Sequence, residues 1–73
     1  MAVGFRRFNL VRHRDITGVS GTGVVAEGVQ YSTGKVAVCW LGLFSSVVVW
    51  DSIEDAVRVH GHGGATEVEW IDE

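Results

Sequence analysis

The sequence predicts a mainly all-β fold: a small SH3-like antiparallel five-stranded barrel with one short helix before the last strand. Three observations point there. Fourteen of the 73 residues are valine, and β-branched side chains fit a pleated, half-buried surface. Proline is absent while glycine occurs ten times, so glycines must make most of the sharp turns. The segment Asp51 to Trp70, DSIEDAVRVHGHGGATEVEW, reads as a capped helix stopped by glycines and followed by an alternating strand.

Residues 5–12, FRRFNLVR, make the first expected strand, with Phe8 and Leu10 on its inward face. Residues 13–18 read as a polar loop. Residues 19–31, VSGTGVVAEGVQY, form a long second strand interrupted by Gly21, Gly23 and Gly28. Glycines inside a strand mark bulges or bends, and a long bent strand lets a small sheet curl over itself. Residues 32–34, STG, turn the chain, with Gly34 free to take positive φ. Lys35 to Leu41 then returns antiparallel, placing Val36, Val38 and Trp40 on one face and Ala37 and Cys39 on the other.

After Gly42–Ser45 comes Ser46–Trp50, SVVVW, an apolar run whose two faces both demand cover. Asp51 or Ser52 suits a helix N-cap, with Glu54 or Asp55 completing a capping box. Ile53, Ala56, Val57 and His60 share one helical face. Gly61 stands where a left-handed residue would end the helix. Thr66–Trp70 alternates, Val68 and Trp70 inward and Glu67 and Glu69 outward. An OB-fold is the runner-up, but it usually has a longer chain and places its helix between the third and fourth strands.

One domain spanning residues 1–73 sits near the lower size at which a core supports itself. With 47% apolar and 21% charged residues the composition argues against disorder. So small a core cannot hide every Trp, Phe and Leu, which favours a protein partner or a homo-oligomer. The single cysteine, Cys39, excludes an internal disulfide and fits a reducing cytoplasm. The N-terminal arginines do not suit a signal peptide. No window approaches the ~18 apolar residues of a membrane span. The expectation is a soluble, cytoplasmic protein without membrane association.

The net charge of −3 is unevenly spread. Residues 1–38 carry Arg6, Arg7, Arg12, Arg14 and Lys35 against Asp15 and Glu27, a balance of +3. Residues 39–73 carry Arg58 against Asp51, Glu54, Asp55, Glu67, Glu69, Asp72 and Glu73, a balance of −6. Arg6, Arg7, Arg12 and Arg14 therefore form the candidate nucleic-acid surface. The competing reading, preferred here, pairs the first and last strands so that arginines face glutamates. An acidic total opposes strong phosphate binding.

Candidate chemistry is thin. His60-Gly61-His62 could present two imidazoles to zinc, but a site needs three or four ligands, and His13 and Cys39 are the plausible additions. The preferred reading is structural, with His60 beside the helix C-terminal carbonyls and no metal. Gly21-Thr22-Gly23 leads into a strand, whereas phosphate-cradling loops lead into a helix. Cys39 in an apolar strand is a poor nucleophile, and no acid–base pair is apparent. No enzymatic activity and no cofactor are expected.

The aromatic and apolar residues carry more. Trp40, Trp50 and Trp70 end three successive strands and could gather at one end of the barrel, chiefly as core. At least one, Trp50 foremost, is a candidate to line a peptide groove. Leu43 and Phe44, an apolar pair in a tight loop, are the strongest candidates for contact with another chain.

The stretches SGTGVVAEGVQYSTGKVAVCW and SIEDAVRVHGHGGATEVEWID resemble a group of small actinobacterial and actinophage proteins with an SH3-like barrel, over residues 8–72. The apolar connection Gly42–Ser45 departs from that group, where polar residues are usual. The resemblance brings no site residues with it. Together these observations favour a non-catalytic protein-interaction module, phage-encoded or phage-derived, that regulates a host protein. The alternatives are a small nucleic-acid-associated barrel and a structural subunit of a homo-oligomer.

Overall fold

The computed structural model describes residues 4–13 and 22–72. Arg14, Asp15, the start of the expected second strand at 19–21 and the side chain of His62 lie outside it. Five strands form one antiparallel sheet: β1 (Arg6–Arg12), β2 (Gly23–Gln30), β3 (Val36–Trp40), β4 (Ser46–Trp50) and β5 (Thr66–Trp70). Helix α1 (Ile53–His60) precedes the last strand. The spatial order is β4-β3-β2-β1-β5.

The sheet does not close, which corrects the barrel expected from the sequence. Its ladders join β4 to β3 and β5 to β1, and the edges β4 and β5 share none. Helix α1 packs against both edge strands, and its Ile53 joins the core. The inner face holds Phe8, Leu10, Val25, Ala26, Val36 and Val38, with Trp40, Trp50, Ile53, Val68 and Trp70 half-buried around them. Burial of these side chains is the main stabilising term.

Alternation follows the sequence closely in β1 and β3: Phe8, Leu10, Val36 and Val38 are buried. In β2 the register slips. Leu10 pairs with Ala26 but Val11 pairs with Val24, which leaves Val25 as an extra residue. This bulge turns both Val25 and Ala26 inward, two consecutive buried residues that no regular strand allows. The bend therefore sits at Val25, between the glycines that suggested it. Gly23 does adopt a positive φ of 92°, whereas Gly28 answers to packing against Phe8.

The turn after β2 forms as expected, with Gly34 at φ 93° and its N–H donating to the Tyr31 carbonyl at 2.9 Å. Ser52 is the N-cap of α1, its Oγ accepting from the Asp55 N–H at 3.1 Å. Gly61 departs from expectation. It stays right-handed, at φ −72°, and donates to the Val57 carbonyl. Glycine is required there because a Cβ would meet that same oxygen at 2.5 Å. The left-handed residues come later, Gly63 at φ 65° and Gly64 at 98°, and swing the chain into β5.

Candidate functional site

The outward-facing side of β2–β3–β4 is the least covered apolar surface among the described residues. Cross-strand register puts Val29, Ala37 and Val49 in one row, and Glu27, Cys39 and Val47 in the next. Val47 and Val49 are 63% and 65% exposed. Both faces of β4 were expected to be covered, and only the inner one is. Val29, Ala37, Cys39 and Val47 line a shallow depression on this side. Cys39 belongs to this half-exposed row, its Sγ 3.4 Å from Ser45 Oγ, on the opposite face from its neighbour Trp40.

The β3–β4 connection is more exposed still. Gly42 takes φ 147°, and Leu43 and Phe44 emerge 90% and 89% exposed, with Leu41 at 46%. The apolar loop has no core to reach, because the inner face is already filled by Val36, Val38 and Trp40. Covering Leu43 and Phe44 would contribute ~3–5 kcal/mol in transfer terms, before association costs.

Trp50 does not join them. It ends β4 at the opposite end from the loop and packs on the inner face against the core. There His60 lies between two indoles, its ring centre 4.7 Å from Trp40 and 5.5 Å from Trp50, both edge to face. His60 also ends α1 as expected, in its last turn. The three tryptophans do not gather. Trp40 lies at one end of the sheet, and Trp70 packs instead against Phe8 at 5.2 Å. Trp50 Nε1 is buried without an acceptor among the described residues, an exception to the usual pairing of buried donors. No group of three His, Cys, Asp or Glu residues able to hold a metal occurs among the described residues.

Arg6, Arg7 and Arg12, the candidate arginines among the described residues, are committed to internal contacts. Arg6 stacks 3.9 Å over the Trp70 ring and donates to the Asp72 carbonyl. Arg7 gives Asp72 a two-pronged ion pair, Nε to Oδ2 and Nη2 to Oδ1, both at 2.9 Å, and its backbone N–H adds a third bond. These bonds pull the Asp72 carboxyl down to about 2. Arg12 is buried, its Nε donating to Thr66 Oγ1 at 3.2 Å. First and last strands do pair, but the basic partners meet Asp72 and Trp70 rather than Glu67 and Glu69, which lie opposite Val11 and Asn9.

Lys35 bonds Asp51 at 2.8 Å and lowers that carboxyl from its usual range, first by the hydrogen bond and then by charge. Sequence reasoning named none of these pairs, nor a further one. His13 Nε2 lies 3.4 Å from Glu67 Oε2. The signal was present in the β1–β5 pairing, since position 13 falls on the same face as Val11, which stands opposite Glu67.

No helix among the described residues is long and apolar enough to cross a membrane. No curated protein and no solved structure matches this chain. The family model described as Acb5 phage protein matches residues 5–72, the span that runs from the first strand through the Asp72 clamp, and the chain belongs to that family.

Proposed function

We propose that this phage protein is a protein-interaction module, acting by binding in the cytoplasm of the host cell. One observation carries this reading. Leu43, Phe44, Val47 and Val49 form a run of apolar side chains, each well over half exposed, on one strand and its leading loop. Scattered exposed hydrophobes need no explanation, but a contiguous patch marks an interaction surface. None of these residues belongs to the core.

Regulation of a host protein is the proposed role, and the sequence resemblance to actinophage proteins makes an actinobacterial cell the proposed setting. The test is affinity capture and cross-linking with the full chain, comparing the native sequence with the double substitution Leu43→Ser and Phe44→Ser. Protein association that the substitution abolishes supports the reading. Association with neither a host protein nor the chain itself would overturn it.

A further inference from the structure

We propose that the partner met by Leu43, Phe44 and β4 is a second copy of the chain, joined edge to edge through β4 in antiparallel pairing about a two-fold axis at Val48. The proposal rests on the interaction reading above and names its partner.

The open sheet has two edges, and each presents a row of unladdered backbone N–H and C=O groups. They differ in charge. β5 carries Glu67 and Glu69 on its outward side, so pairing β5 with another β5 would set acid against acid. Helix α1 and the turn at His62–Gly64 also pack against β5. Joining β4 to another copy's β5 would leave a free edge on each molecule and propagate into a filament.

β4 shares the contact with helix α1 but carries no acidic row. Its residues, Ser46 to Trp50, include no charge and no proline, and its ladder to β3 runs without a bulge. It therefore lacks charge, proline and bulge, three of the devices by which edge strands avoid each other.

The two-fold register is self-consistent. With Val48 opposite Val48, Val47 of each copy faces Val49 of the other, and Ser46 faces Trp50. Asp51 then falls beside Ser45, so no like charges meet. Leu43 and Phe44 reach past the end of the neighbouring β4 to the start of its helix, beside Ser52 and Ile53. A stable interface covers about 800 Å² per partner, about a sixth of the 4880 Å² surface. A five-residue ladder alone falls short of that, and the two loop side chains supply the apolar remainder. Both β4 edges are used, so assembly stops at two chains.

The experiment is sedimentation equilibrium on the full chain over a wide concentration range, with folding followed by circular dichroism. The native sequence is expected at the mass of two chains. V47K/V49K and V47E/V49E, which alter exposed positions only, are each expected at the mass of one folded chain, because like charges then oppose each other across the axis. Mixing the two variants should restore a two-chain species, since each lysine then faces a glutamate.

A native chain that stays single at every concentration would overturn the proposal, as would a dimer indifferent to the lysine variant. Failure of the mixture to reassociate would overturn the register. If the chain is single yet holds a host protein through Leu43 and Phe44, this inference fails while the interaction reading stands.

Discussion

Gly28 lies directly against the Phe8 ring: a Cβ at residue 28 would sit 2.2 Å from Phe8 Cζ. The two residues are cross-strand partners in the β1–β2 ladder. Phe8 is fully buried and edge-on to Trp70, so its ring has nowhere to retreat.

Gly28→Ala should therefore destabilise the domain by about 1–3 kcal/mol through overpacking. Phe8→Leu should relieve part of that cost, so the double variant is less destabilised than the sum of the two singles. Denaturant midpoints for the four proteins in the cycle measure this. Strict additivity would mean the glycine is needed for some other reason. At Gly23, by contrast, nothing lies within reach of an added Cβ, and an alanine there should cost only the ~1 kcal/mol of a positive φ.

Acid should weaken the tie between the chain's two ends. The Asp72 carboxyl titrates at about 2 when folded and near 3.9 when unfolded. Its folded value is depressed, so the stability it contributes is complete above the unfolded value and is lost as pH falls through about 2. Asp72→Asn should melt lower than the native chain at pH 6, and the gap should shrink steadily below pH 4. A gap that is constant from pH 6 to pH 2 would show that the Arg7–Asp72 pair plays no part.

Nucleic-acid binding should be weak and non-specific at physiological salt. Among the described candidate arginines, Arg6 and Arg7 are held by Asp72 and Trp70, and Arg12 is buried, which weakens any binding that must displace counterions. Sub-micromolar oligonucleotide binding that disappears in Arg6→Glu and Arg7→Glu would promote the nucleic-acid reading. Arg12→Glu is a poor probe, because it puts an acid into a buried site and destabilises the fold whatever the ligand.

The double substitution Leu43→Ser and Phe44→Ser should change the stability of the single chain by no more than about 0.5 kcal/mol, as exposed positions do. Association should weaken by at least about tenfold, the equivalent of 1.4 kcal/mol and well within the apolar burial available. Calorimetry at low concentration and sedimentation read the two effects separately. A large drop in thermal midpoint would assign the loop to the core.

Pattern and local chemistry determined much of this protein in advance. The residues of β1, β3, β4 and β5 to within one position, the Ser52 cap, the Gly34 turn and the exposure of Leu43 and Phe44 all follow from alternation, capping and turn rules that act over a few residues. Long-range geometry decided the rest. The bulge at Val25 exists because β1 and β3 must both register with β2, which no reading of β2 alone reveals. The sheet stays open, with α1 rather than a ladder in contact with both β4 and β5. The tryptophans separate because antiparallel β3 and β4 finish at opposite ends of the sheet while β4 and β5 lie at its opposite edges, and Trp40 and Trp50 each pack against His60. The arginines find Asp72 and Trp70 because pairing of the two terminal strands brings together residues some 65 positions apart. Which strand would be left bare was likewise invisible in SVVVW itself. Its outer face is uncovered because the one helix was already committed to the inner side.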